Sequence, residues 1–278
     1  SSPKHTGPTS IHEGEIILAE NVTLSSEVII SEKAILSGSG TLTNSLSGAG
    51  TISPGQGIGT LTIQNASPKR LHLEIDGNQA DHLVSTGILD LSSTTLSWST
   101  QNLTEVVYPI ITYNSLIDGF RNPNLPPAGY VFDYNYQGNK IALVRSENSY
   151  QVWSQQTHAL SGANALFEAD PDLDGIPNGL EFFTGSNPAE FTKTHPLKAS
   201  RRSGSTSVSY PISSLGQATL FRLQSSTDLI NWDDSFPGDQ LPTVKEEKHF
   251  YSPGLGKVSQ NITLPLEKTR FFRFIHRP

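Results

Sequence analysis

Apolar residues in the first half of the chain fall in short runs separated by Gly, Asn and Ser. Ile16-Ile17-Leu18, Val22-Thr23-Leu24, Val28-Ile29-Ile30 and Ala34-Ile35-Leu36 follow one another at steps of about six residues. Thr41-Leu42-Thr43, Thr51-Ile52, Thr60-Leu61-Thr62-Ile63, Leu71-His72-Leu73-Glu74-Ile75, Ile88-Leu89-Asp90-Leu91 and Thr95-Leu96-Ser97-Trp98 continue the series. Such runs predict strands, because successive side chains of a strand point to opposite faces. Turns this frequent suit the rungs of a β-solenoid; a β-sandwich or barrel is the competing reading, since glycine-punctuated strands are common to all three. The close spacing of the first four runs favours the solenoid. Beyond Val106 the runs lengthen, and 106–113, 131–136 and 140–145 are expected as a meander capping the solenoid's open edges.

The pattern divides the chain into a polar arm at 1–10, a β-solenoid with capping strands at 11–148, a helical segment at 149–190, a linker at 191–205 and a small antiparallel β-sandwich at 206–278. The fold class is therefore mostly β. The linker is polar, with Phe191 and Leu197 its only sizeable anchors, and it carries Arg201-Arg202 before Ser-Gly-Ser. Sandwich strands are expected at 207–212, 218–226, 248–251, 258–264 and 270–275.

The helical segment contains the clearest candidate chemistry, D-P-D-L-D-G-I-P-N-G-L-E from Asp170 to Glu181. Carboxylates at the first, third and fifth positions, glycine at the sixth, asparagine at the ninth and glutamate at the twelfth match the ligand spacing of an EF-hand-type calcium loop. Asp170, Asp172 and Asp174 would each offer a side-chain oxygen, Ile176 its backbone carbonyl, Asn178 a direct or water-borne contact and Glu181 a bidentate carboxylate. Gly175 permits the sharp bend with φ > 0. Pro177 has no N–H with which to pair a second loop, so a lone structural clip is expected instead of half a sensor. A short helix through 179–183 should end at Gly185, with Pro188 just beyond.

Charged residues make up only 16% of the 278, and the net charge is −7 with no long basic run, which argues against a nucleic-acid partner. No apolar run is long enough for a transmembrane helix. Cysteine is absent, which excludes disulfides, zinc thiolates and a cysteine nucleophile. Methionine is absent too, even at position 1; a processed chain that has lost a signal peptide is the simple expectation.

Other constellations carry less. Gly55-Gln56-Gly57-Ile58-Gly59 is followed by a strand pattern, not a helix, and suits a turn between rungs better than a phosphate loop. Glu74, Asp76, Asp81 and His82 are close in sequence, but nothing fixes an acid/base separation, and Asp81 is expected to hydrogen-bond a neighbouring loop. The histidines lack zinc spacing, and there is no G-x-S-x-G elbow. Trp232, Phe250 and Tyr251 could stack on a sugar, although in so small a domain such rings more often pack internally.

Gly48-Ala-Gly-Thr-Ile-Ser-Pro-Gly-Gln-Gly-Ile-Gly-Thr-Leu-Thr-Ile63 resembles autotransporter-associated β-strand repeat proteins, and the stretch 71–87 is similar to the segment after that run in such passengers. The stretch 170–188 resembles the thrombospondin type 3-like calcium loop of secreted proteins of Verrucomicrobia-type bacteria. The stretches 221–232 and 270–274 resemble strands of their C-terminal sandwich. The resemblance implies a right-handed β-helix and a secreted or outer-surface scaffold without a common catalytic activity. The expected function is a non-enzymatic structural or adhesive surface protein holding one calcium ion. Its partners would be extracellular or cell-surface glycans or proteins, and self-assembly is compatible with the pattern. A carbohydrate-binding module or accessory domain is the alternative.

Overall fold

The computed structural model describes residues 7–120, 124–202, 205–215, 221–232, 245–247, 258–265 and 271–276. The chain is mostly β and divides into two units after Val152.

The first unit is built on a 13-stranded mixed sheet. Two series of parallel strands alternate along the sequence. Thr9–Leu18, Val28–Gly38, Thr51–Pro54, Arg70–Asp76 and Thr95–Gln101 form one; Thr23–Leu24, Thr41–Gly48, Thr60–Ala66, His82–Asp90 and Val107–Asp118 form the other. Val28–Gly38 joins the two, pairing Thr41–Gly48 through residues 28–30 and Thr51–Pro54 through residues 35–37. Alternate positions turn inward: Leu36, Ile52 and Leu71 stack in one register column, Leu24, Leu42 and Ile63 in another, and all are buried.

Glycines let the chain turn tightly against its neighbours. Ser37-Gly38-Ser39-Gly40-Thr41 and Ser47-Gly48-Ala49-Gly50-Thr51 occupy corresponding places: Gly40 N–H donates to Leu18 O at 2.9 Å and Gly50 N–H to Ile30 O at 3.1 Å. Gly38 and Gly48 have φ of 102° and 110°, and a Cβ on either would strike the Leu18 or the Ile30 carbonyl.

Two expectations change here. Thr9 and Ser10, assigned to the polar arm, begin a strand that pairs Val28 and Ile29; residues 1–6 lie outside the described part. The strands after Val106 do not form a simple meander. Tyr130–Tyr136 turns back at Gln137 and Gly138, both left-handed, and Lys140–Arg145 inserts between it and Val107–Asp118. The apolar sequence Ile141-Ala142-Leu143-Val144, buried throughout, suits that central place.

Asp81 is fully buried, and its carboxylate accepts Gly59 N–H at 2.9 Å and Glu74 N–H at 2.8 Å. It thus ties a loop to a strand, the use expected of it. Burial pushes its carboxyl up from 3.8 to about 6, outweighing the two donors that favour the charge. A raised folded-state value means the folded chain holds the proton more tightly. That stabilisation is complete below about pH 4 and is lost as pH rises through 6. Asp81→Asn keeps one acceptor but aims an amide at the other N–H. It should lower urea-unfolding stability by about 1–3 kcal/mol at pH 7 and flatten this slope; an unchanged midpoint would exclude the bridge.

The second unit carries a four-stranded antiparallel sheet in the order Lys198–Arg202, Ser205–Ile212, Val258–Pro265, Lys245–Glu247, and a two-stranded one of Phe221–Ser226 with Phe271–His276. The stretch 191–205, expected as linker, therefore contains a strand, with Ala199 opposite Val208. Leu197 packs into the unit's core, while Phe191 stays exposed. The strand expected at 248–251 lies outside the described residues. The helix Asn178–Thr184 ends at Gly185, which is left-handed at φ 73° as the sequence predicts. Its Leu180 and Phe183 join Val208, Tyr210 and Leu223 in one cluster. Ser213 receives the helix end, donating N–H to Phe183 O at 2.8 Å and Oγ–H to Phe182 O at 2.6 Å.

Candidate metal centre

The loop from Asp170 folds around its own carboxylates. Asp170 accepts Asp174 N–H through Oδ1 at 3.2 Å and Gly175 N–H through Oδ2 at 2.9 Å; Asp174 Oδ1 accepts Ile176 N–H at 2.7 Å. Gly175 has φ 88°, and a Cβ there would meet nothing within 4 Å. The glycine is therefore needed for its backbone conformation, not for space. Asp170, Asp172 and Asp174 each bring a carboxylate oxygen within 4.8 Å of the others.

Below them the first helical turn presents Asn178 and Glu181, both fully buried. Asn178 Nδ2 donates to Asn164 O at 2.7 Å and Leu166 O at 2.9 Å, which spends both amide hydrogens and leaves Oδ1 unpartnered. Both oxygens of Glu181 are buried and unpartnered, as is Asp172 Oδ2. A carboxylate without a hydrogen bond in such a place is strongly penalised, and four unpartnered acceptors gather around one acidic loop. Burial, then the charges of Asp172, Asp174 and Asp170, pushes the Glu181 carboxyl up from 4.5 to about 8. Burial also raises Asp172, reinforced by its neighbouring carboxylates and opposed by Asp174 N–H.

The six sequence candidates thus divide. The three aspartates are brought together; Asn178 and Glu181 supply unpartnered oxygens, and electrostatics couple Glu181 to the aspartates. Ile176 buries its side chain in the core, which fixes the backbone at the carbonyl position. This donor set of hard oxygens fits calcium. Two contributors are not visible in the sequence. Thr192 N–H donates to Asp174 Oδ2 at 3.0 Å from 18 residues downstream. Phe167 lies where a Cβ on Gly179 would be, and its carbonyl accepts Gly179 N–H at 2.8 Å.

The aromatic candidates differ. The Arg273 guanidinium lies 4.1 Å from the centre of the Trp232 ring, covering one face, and Trp232 Nε1–H donates to Leu229 O at 3.2 Å. Phe250 and Tyr251 lie outside the described residues. His82, beside Asp81, contacts Pro109 O at 3.1 Å and Thr112 Oγ1 at 2.8 Å, a structural use. No described helix is long and apolar enough to cross a membrane. Comparison with protein families, curated proteins and solved structures found no match.

Proposed function

We propose that the protein is a calcium-clipped β scaffold of the extracellular space or outer cell surface, structural or adhesive in role and without catalysis. One observation carries the calcium reading: Glu181, fully buried next to three aspartates, has no partner for either oxygen. Asp170, Asp172, Asp174, the Ile176 carbonyl, Asn178 and Glu181 would hold the ion. Its charge would replace mutual repulsion by attraction and so couple binding to folding of the loop and helix. Extracellular calcium modules work near ~10⁻⁴–10⁻³ M, which suits a constitutive clip better than a sensor.

For the first unit we propose a β-solenoid of the right-handed β-helix type, as its resemblance to repeat passengers implies. The two alternating series of parallel strands support this, since each new strand of a series adds one more residue to the same register columns. For the second unit we propose a small sandwich, supported by two antiparallel sheets that share one apolar cluster.

Thermal unfolding of the full chain in excess calcium and in chelator tests the clip. Free ion at about a hundred times Kd stabilises by about 2.7 kcal/mol, so a rise in Tm on the order of 5–10 °C is expected. Superimposable melting curves would sink the proposal.

A further inference from the structure

We infer that the first unit carries a preformed groove for a neutral polysaccharide strand, a site separate from the calcium loop and independent of it. The groove is open, about 670 Å³ in volume. Its floor is hydroxylic: Thr41 and Thr62 stand opposite each other on neighbouring parallel strands, with Thr60 beside them. Glu20, Asn21 and Gln56 add a carboxylate and two amides to the lining, while Ile17 and Ile58 add apolar surface.

Three observations separate this groove from an ordinary wet surface. Among the described residues, the side chains of Glu20, Asn21, Thr41, Gln56, Thr60 and Thr62 make no hydrogen bond to the protein. The outward His72 of the same unit, by contrast, lies 2.9 Å from Ser97 Oγ and 3.1 Å from Ser99 Oγ. Secondly, the wall carrying Gln56 is anchored at both ends. Gly55 exchanges two 2.9 Å backbone hydrogen bonds with Gly38, and Gly59 N–H is held by the buried Asp81 carboxylate. A ligand meeting fixed walls loses less affinity to ordering them. Thirdly, the lining contains no Lys, Arg or His, and Glu20 is its sole ionisable group. That charge pattern disfavours uronates, phosphates and nucleic acid, and it suits an uncharged polyol.

The lining chemistry fits such a ligand. Amides and hydroxyls can each donate and accept, which matches the hydroxyls of a sugar. Ile17, 44% exposed, and Ile58 can cover the C–H faces of the rings. Neighbouring strands are roughly 4.8 Å apart, so the Thr41 and Thr62 hydroxyls repeat at about the length of one pyranose unit.

The test is calorimetric titration of the full chain, in calcium, with cellohexaose, xylohexaose and laminarihexaose, and with hexagalacturonate and a capped Gly-Ser dodecapeptide as contrasts. At least one neutral hexaose should bind. Thr41→Val with Thr62→Val, which keeps shape and removes both hydroxyls, should weaken it about tenfold with Tm unchanged. Gln56→Ala, on the exposed wall, should weaken it as well and serves if the double variant folds poorly. No binding by any neutral hexaose, equal binding by the Gln56→Ala variant, or tighter binding of the uronate or the peptide would overturn the assignment.

Discussion

Valine at position 48 should destabilise the first unit by about 3–6 kcal/mol, enough to unfold a marginal domain. Two causes add. Gly48 has φ 110°, a conformation that a β-branched residue adopts only under strain. Its Cβ would also enter the Ile30 carbonyl, and that obstacle is backbone in a paired strand with nowhere to rotate. The Gly50 N–H bond to Ile30 O, two residues on, would be lost with the same displacement. Gly57→Ala supplies the contrast, since Gly57 has φ 83° but nothing within 4 Å of a Cβ. That variant should lose only about 1 kcal/mol from backbone strain. Urea unfolding followed by circular dichroism reads both. A Gly48→Val variant as stable as Gly57→Ala would show that these turns do not stack on their neighbours as described.

Calcium affinity should fall steeply in mild acid. In the ion-free protein the Glu181 carboxyl stands at about 8, so at pH 7 it is mostly protonated, and the ion must displace that proton. Affinity is then expected to approach a tenfold drop for each pH unit well below 8, or about fiftyfold from pH 8 to pH 6. The stability of the ion-free chain runs the other way. The folded value lies above the ordinary 4.5, so Glu181 contributes stability that is complete below about pH 4.5 and is lost as pH rises through 8. Raising the pH should therefore weaken the chelated protein and strengthen the calcium-bound one. Melting series from pH 5 to 8.5, with and without calcium, would show the two curves diverging. Parallel curves would mean that Glu181 keeps its charge without the ion.

Strand identity is largely readable from the chain, but pairing is not. The runs at 28–30 and 34–36 look separate, yet they lie on one strand, Val28–Gly38. Residues 31–33, Ser-Glu-Lys, look like a break because their side chains face outward. The order of the last three strands of the first unit is hidden for a related reason. Period-two alternation says which face is buried and nothing about the partner, which is chosen by contacts far apart in sequence. Lys198–Arg202 reads as linker because its one small apolar residue, Ala199, gives no alternation to detect.

The acidic loop is legible because its polar groups are local. Twelve consecutive residues contain the carboxylates, the turn glycine and the closing glutamate, and Gly185 marks where the helix stops. The contributions that reach the loop from outside it leave no such trace. Thr192 contributes only a backbone N–H, which no side-chain pattern can encode. The spacing marks Asn178 as a candidate ligand, but not how it is aimed: the Asn164 and Leu166 carbonyls absorb its amide hydrogens and leave its oxygen unpartnered.

Calorimetric titration of the chelator-stripped chain with calcium at pH 8 is the decisive measurement. One ion per chain should bind saturably, and Glu181→Gln, which removes the charge but keeps the shape, should weaken it at least a hundredfold. No saturable binding, or equal binding by the Glu181→Gln variant, would contradict the calcium clip.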